Sequence, residues 1–252
     1  MTRDDLVFSE LSPRVQASGE ALSFMTSYAQ NFEDVMLRRA LQDVACGFYV
    51  DVGAFSPDLH SVTKHFYNAG WRGINIEPHP VHFGKLCEAR DRDINLQIAL
   101  SDFIGGGTLQ VVEQTGMSSL NDDFADFVRQ NWTITPSSTQ VSTLDAILQQ
   151  HAPETVLDFL KIDVEGKETE VLKGAALDRN RPRLIVIEAT KPMTQEPAWE
   201  EWEPGLLSCG YLFAWFDGLN RFYVREEDRE RLTYFRLPPC CFDSFVVAPP
   251  QE

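Results

Sequence analysis

Apolar runs that stop abruptly at an acid recur along this chain, and the sharpest of them is Phe48-Tyr49-Val50-Asp51-Val52-Gly53-Ala54. Aromatic and β-branched residues in a row fit a buried pleated strand. The glycine that follows lets backbone approach a ligand closely. In an open α/β sheet, ligands bind outside the carboxyl ends of the strands, so Asp51 and Gly53 are expected at a cofactor.

The segments that follow repeat the pattern. A helix is expected through Val62, Phe66 and Tyr67, stopping at Asn68-Ala69-Gly70, and then a short strand from Trp71 to Glu77, ended by Pro78 and Pro80. Strand, helix, strand with an acid closing each strand is a nucleotide-type βαβ unit. Glu77 lies 26 positions after Asp51, near the offset of roughly 20 at which an acid meets ribose hydroxyls. It is the expected ribose ligand. A helix over about Val81 to Ala89 precedes a strand read as Ile94 to Leu100, which ends at Ser101-Asp102. This third acid is placed for an adenine amino group. Gly105-Gly106-Gly107 is not followed by the Lys-Ser/Thr of a phosphate loop, so it reads as a flexible turn into a strand from Thr108 to Val112.

Before the first strand, Ser27 to Leu41 carries Phe32, Val35, Met36 and Ala40 at helical spacing. Residues 1–26 read as a flexible arm and residues 27–252 as a single domain. Gly116 to Pro136, polar and aromatic, reads as a covering loop with a short helix, of the kind that lids active sites. Thr143 is placed to cap a helix running to about Gln150. Leu157 to Gly166 reads as a strand beside the first one, and Pro182 to Ala189 as another that ends at Glu188. Tyr211 to Phe216 and Arg221 to Val224 form a hairpin, with a further strand at Phe245 to Val247.

Composition narrows the function. The 38 acids and 22 bases of the 252 residues leave a formal charge of −16, which opposes binding to phosphate backbones or anionic membranes. No nucleic-acid partner is expected. Five cysteines without Cys-x-x-Cys spacing suggest reduced thiols. The start of the sequence lacks a leader pattern and no apolar run is long enough to span a membrane, so the expected location is the cytoplasm. Four of the five histidines, His60, His65, His79 and His82, lie in the cofactor half and show no metal-binding spacing, and His60 is the one that opens a helix facing the site.

Five phrases, taken in order, resemble the FkbM family of S-adenosylmethionine-dependent methyltransferases. They are Phe48 to Ala54, Ser61-Val62-Thr63-Lys64, Gly70 to Pro78, Phe159-Leu160-Lys161-Ile162-Asp163-Val164-Glu165-Gly166, and Phe216-Asp217-Gly218-Leu219-Asn220-Arg221-Phe222-Tyr223. The resemblance implies a Rossmann-like α/β fold, the seven-stranded class I methyltransferase sheet, with helices on both faces and a C-terminal antiparallel hairpin. It implies S-adenosyl-L-methionine as cofactor, with Gln30, Asp51, Gly53, Ala54, Ser61, Glu77, Ser101 and Asp102 around it. Through a Gln-x-x-Glu-Asp phrase, it also brings Glu33 and Asp34 near. Phe55 departs from the family pattern, in which a small polar residue is common.

Family members commonly methylate oxygen on sugars or on glycosylated and polyketide-like metabolites, so the expected acceptor is a sugar hydroxyl in a glycan or glycosylated metabolite. A non-sugar metabolite and a silent cofactor-binding assembly module are the alternatives, and a homodimer is possible. In-line displacement from a sulfonium is helped by a base that takes the alcohol proton. Asp163 and Glu165 are the candidates, since alternation along an extended segment would set both on one side. Glu188 with Asp163 offers oxygen ligands to Mg²⁺, but two acids are not a metal signature and no metal is assigned.

Overall fold

A computed structural model describes residues 24–112, 117–121, 128–129 and 131–249. The apolar runs assemble into one seven-stranded sheet. Its members are β2 (Phe48–Val52), β3 (Arg72–Ile76), β4 (Ile94–Leu96), β9 (Phe159–Ile162), β10 (Leu184–Glu188), β11 (Tyr211–Phe216) and β12 (Asn220–Arg225). The order across the sheet is β11-β12-β10-β9-β2-β3-β4. From β4 to β10 every neighbour is parallel, and β12 runs antiparallel to both β10 and β11. The chain winds outward one way from β2 to β4, then returns to the other side of β2 with β9. The crevice above β2 and β9 is therefore a switch point, where open sheets bind ligands.

Near-continuous apolar strands are what a sheet buried on both faces requires. Val50, Val52, Leu160, Ile162, Ile185 and Ile187 pack on one face against Leu144, Ile147 and Leu148 of α4 (Leu144–His151) and Val171 of α5 (Glu168–Lys173). Their neighbours Tyr49, Phe159, Leu184 and Val186 point the other way. There they meet Met36, Leu37 and Ala40 of α1 (Glu33–Ala40) and Phe66 of α2 (Lys64–Asn68). α3 (Pro80–Ala89) leads into β4, and α6 (Glu203–Ser208) leads into β11. Thr143 caps α4 as expected, its Oγ1 accepting from Ala146 N at 3.2 Å.

Several elements differ from the sequence reading. The strand expected over Ile94 to Leu100 is two strands: β4 ends at Leu96, and β5 (Ala99–Leu100) joins a separate sheet. That sheet has the order β5-β8-β6-β7, with β6 (Gly105–Val112), β7 (Ser118–Ser119) and β8 (Ile134–Ser142). The three glycines are not a turn, because Gly105, Gly106 and Gly107 pair in register with Val141, Gln140 and Thr139. A Cβ at Gly107 would come within 2.9 Å of Val141 Cγ2 and 3.3 Å of Leu120 Cδ2, so crowding by these side chains explains the residue there. Ser118, Ser119 and Ile134 to Pro136 of the expected covering segment are thus strand, and its residues 116, 122–127 and 130 lie outside the described residues. Phe245 to Val247 is a strand, β13, but it leaves the main sheet to pair in parallel with β1 (Met25–Ser27). Residues 24–26, read as the end of the arm, therefore belong to the folded body, while 1–23 lie outside the described residues. No described helix is long and apolar enough to cross a membrane.

Candidate active site

Above the switch point lies a cavity of about 880 Å³, lined by the ends of β2, β3, β9, β10 and β12 and by the segments 53–60, 76–85, 98–100 and 117–120. Its floor is a charge pair between neighbouring strands. Asp51, 2% exposed, takes a hydrogen bond from Thr63 Oγ1 at 3.1 Å on one oxygen. Its other oxygen faces Lys161 Nζ at 3.3 Å. Lys161 also donates to the carbonyl of Gly53 at 2.6 Å and lies 3.5 Å from Asp163 Oδ2. Burial opposes its charge, but Asp51 and Asp163 outweigh burial and hold the ammonium well above its usual range. Gly53 has φ +76°, and a Cβ there would sit 1.8 Å from the carbonyl oxygen of Asp163. Only glycine lets the β2 loop and the β9 loop meet.

Glu77, just past β3, is locked by two backbone donors: Phe55 N to Oε2 and His79 N to Oε1, both at 2.8 Å. Burial raises its pKa to about 7 against the pull of those bonds. Phe55, in the left-handed region at φ 48°, sets its ring 4.5 Å from His82 on the same side of the cavity. The apolar residues Ile98, Ala99 and Leu100 face this end.

The other end is acidic. Asp163, Glu165, Glu188 and Glu33 all line it. Glu168 Oε1 accepts from Val164 N at 3.0 Å and from Gly166 N at 3.3 Å, which shapes the loop that carries Asp163 and Glu165. Ser119 Oγ of β7 closes over that loop by donating to the carbonyl of Glu165 at 2.9 Å. Glu165 is raised to about 8, chiefly by burial and then by the charges of Asp163 and Glu168. Glu188 is raised well above its usual range, again by burial first and then by Asp163, Glu165 and Glu168. Glu33 accepts from Asn31 N at 2.8 Å and from Asn220 Nδ2 at 2.7 Å, and burial followed by the Asp217 charge brings it to about 7.

Of the residues expected here, Gln30, Asp51, Gly53, Ala54, Glu77, Asp163 and Glu165 line the cavity, as does His60. Ser61, Ser101 and Asp102 are not among the described lining residues. Ser61 is buried behind Asp51, bonded to Arg90 Nη2 at 3.0 Å and 3.4 Å from Thr63 Oγ1. Asp102 is exposed, two residues past Leu100 of β5, which itself lines the cavity while pairing into the second sheet. Asp34 turns inward instead, taking bonds from Ser27 Oγ at 2.7 Å and Tyr28 N at 2.8 Å. The alternation argument for Asp163 and Glu165 does not hold either. β9 stops at Ile162 and Glu165 sits at φ 55°, so a loop rather than a strand carries both acids into the cavity. Lys161 and Asn220 were not foreseen as site residues. The signal for Lys161 was a charge inside an apolar strand; for Asn220 it was an Asp-Gly-x-Asn turn, in which Asp217 Oδ1 accepts from Leu219 N at 2.8 Å and Asn220 N at 2.6 Å.

The donor set suits S-adenosylmethionine: a carboxylate at the end of β3 for a diol, an apolar wall beside it, and an acidic lining for a ligand carrying a sulfonium. The switch-point crevice and the strand-end acids fit a nucleotide-type cofactor site. The chain belongs to the FkbM methyltransferase family, whose domain model matches residues 51–213. No curated protein matches it. Among solved structures, it is similar to a TehB-like S-adenosylmethionine-dependent methyltransferase from Corynebacterium glutamicum, with 9% identity over 88% of this chain and 98% of that one and a TM-score of 0.43. A precorrin-6y C5,15-methyltransferase from Geobacter metallireducens matches with 16% identity, over 80% and 93% of the two chains, at a TM-score of 0.39. An O-methyltransferase from Bacillus cereus in complex with S-adenosylhomocysteine matches with 12% identity, over 87% of each chain, at a TM-score of 0.37. Among the described residues, no group of three or more His, Cys, Asp and Glu side chains is arranged to hold a metal ion.

Proposed function

We propose that this chain is an O-methyltransferase that acts on a hydroxyl of a sugar, in a glycan or glycosylated metabolite. The observation that carries the reading is the acidic, hydrogen-bonding half of the cavity, where Asp163 and Glu165 share a lining with Gln30, Asn220, Thr194 and Ser118. A polyhydroxylated acceptor suits such a wall better than an apolar ring system does.

When bound, the cofactor supplies an electrophilic methyl group on a sulfonium. Glu77 would hold the ribose hydroxyls, Ile98 to Leu100 with Phe55 would flank the adenine, and the Gly53-Ala54 backbone over Asp51 would carry the methionine portion. Positioning can supply up to roughly 7–11 kcal/mol of the barrier lowering. Glu165 would take the hydroxyl proton, and Asp163 would orient the acceptor while Lys161 keeps the loop in place. The test is release of S-adenosylhomocysteine with a panel of glycosides set beside flavonoid, polyketide and peptide alcohols. Turnover on glycosides supports the reading. Turnover confined to the non-sugar alcohols would overturn it.

A further inference from the structure

Most acids of the cavity already have partners. Asp51 is held by Lys161 and Thr63, Glu77 by two backbone amides, and Glu33 by Asn31 and Asn220. Glu188 differs. It is the last residue of β10, 9% exposed, and its Oε2 is fully enclosed without a hydrogen-bond partner among the described residues. A buried polar atom left unpaired is costly and calls for a ligand. Lys161, the lysine whose charge acts on Glu188, is already bonded to Gly53 and paired with Asp51 and Asp163.

Position indicates which ligand. β9 and β10 are adjacent parallel strands whose last paired residues are Ile162 and Ile187. Asp163 and Glu188 each lie one residue beyond that pair, at neighbouring strand ends. Both face the cavity on the side of β2 away from Glu77 and the β3 end. Two carboxyls set side by side in this way can each meet one hydroxyl of a vicinal pair.

We infer that Glu188 is a specificity-determining residue that binds the hydroxyl next to the one being methylated, so that the acceptor must carry a vicinal diol. This rests on the O-methyltransferase reading above. In the step itself, the reacting oxygen forms its bond to the methyl carbon as the carbon–sulfur bond breaks. The bonding pair stays on sulfur as a neutral thioether, and the hydroxyl proton passes to the Glu165 carboxylate. The neighbouring hydroxyl stays bonded to Glu188 throughout, and the product is a monomethyl ether.

The test uses the full chain, S-adenosylmethionine labelled in the methyl group, and a polar small-molecule and glycan extract. One half of the extract is untreated, and the other half has had its vicinal diols cleaved with periodate and the products reduced. Label transfer should be lost with the cleaved extract. With the acceptor fraction that takes the label, Glu188→Ala should raise KM by about tenfold or more, the loss of one good hydrogen bond, and leave kcat less affected. Its affinity for S-adenosylhomocysteine should stay within about twofold of wild type. Label transfer that survives periodate, an unchanged KM, or an equal loss of S-adenosylhomocysteine affinity would each overturn the inference. Absence of transfer to the untreated extract would instead bring down the transferase reading, and the inference with it.

Discussion

Lysine 161 shows how much a single buried charge organises here. Its ammonium ties Asp51 on β2 to the Gly53 carbonyl and to Asp163 past the end of β9. Lys161→Met would leave Asp51 buried and uncompensated, a change that costs about 3–5 kcal/mol in comparable pairs. Urea unfolding should show that loss; a midpoint within error of wild type would mean the pair is dispensable. Glu165 gives a second prediction. A base must be ionised to accept a proton, and burial with the charges of Asp163 and Glu168 sets this one at about 8. Turnover should therefore rise with pH through that region, and Glu165→Gln should flatten the rising limb while sparing S-adenosylhomocysteine binding. An unchanged pH profile in the variant would exclude Glu165 as the base.

At the scale of elements, α1 and the β11–β12 hairpin are joined across the cavity by Asn220 Nδ2 to Glu33 Oε1, and by Asn31 Nδ2 to the carbonyl of Asp217 at 3.1 Å. Asn220→Ala leaves a buried carboxyl short of a donor and should cost about 1–3 kcal/mol in a denaturant titration, with looser packing of the turn. No change in stability would mean that the two elements dock through apolar contacts alone. How legible the site was in the sequence follows the same elements. Asp51, Glu77 and Glu188 were visible because an acid after an apolar run marks a strand end, and parallel strand ends converge at the switch point. Ser101 and Asp102 misled because Ile94 to Leu100 has the composition of one strand, and nothing local says that Ala99 and Leu100 will pair with β8 instead. Glu165 was reached by an alternation that the loop does not obey. Its place in the cavity comes from a left-handed turn held by Glu168, a local side-chain-to-backbone contact that periodicity cannot report.

For the whole molecule, the apolar runs marked buried strands and the resemblance to the FkbM family implied the seven-stranded sheet, whereas the second sheet was not legible, because Gly105 to Gly107 carries no strand propensity. The excess of acid has a consequence for stability. Burial holds Glu33, Glu77 and Glu168 at about 7, above their ordinary 4.5. Between those values the unfolded chain releases protons that the folded chain keeps, so their contribution is full below 4.5 and is lost as pH rises through about 7. Asp43 and Glu227, held at about 2 by Arg231 and Arg181, stabilise the fold above their ordinary carboxylate range and lose that contribution only as pH falls toward 2. The cofactor-free protein should accordingly melt at a lower temperature at pH 8 than at pH 5; a midpoint that rises over that range would contradict this account.

The most direct measurement is a calorimetric titration of the wild-type protein and of Glu77→Ala with S-adenosylhomocysteine, with NAD as a control. The cofactor site placed across the ends of β2 and β3 predicts binding by the wild type and none of NAD. Loss of the carboxylate's charged hydrogen bonds, each of about 1.5–3 kcal/mol, should weaken the variant by about tenfold or more. Equal affinity in the two proteins, or no binding by the wild type, would contradict the placement of the cofactor on which the rest depends.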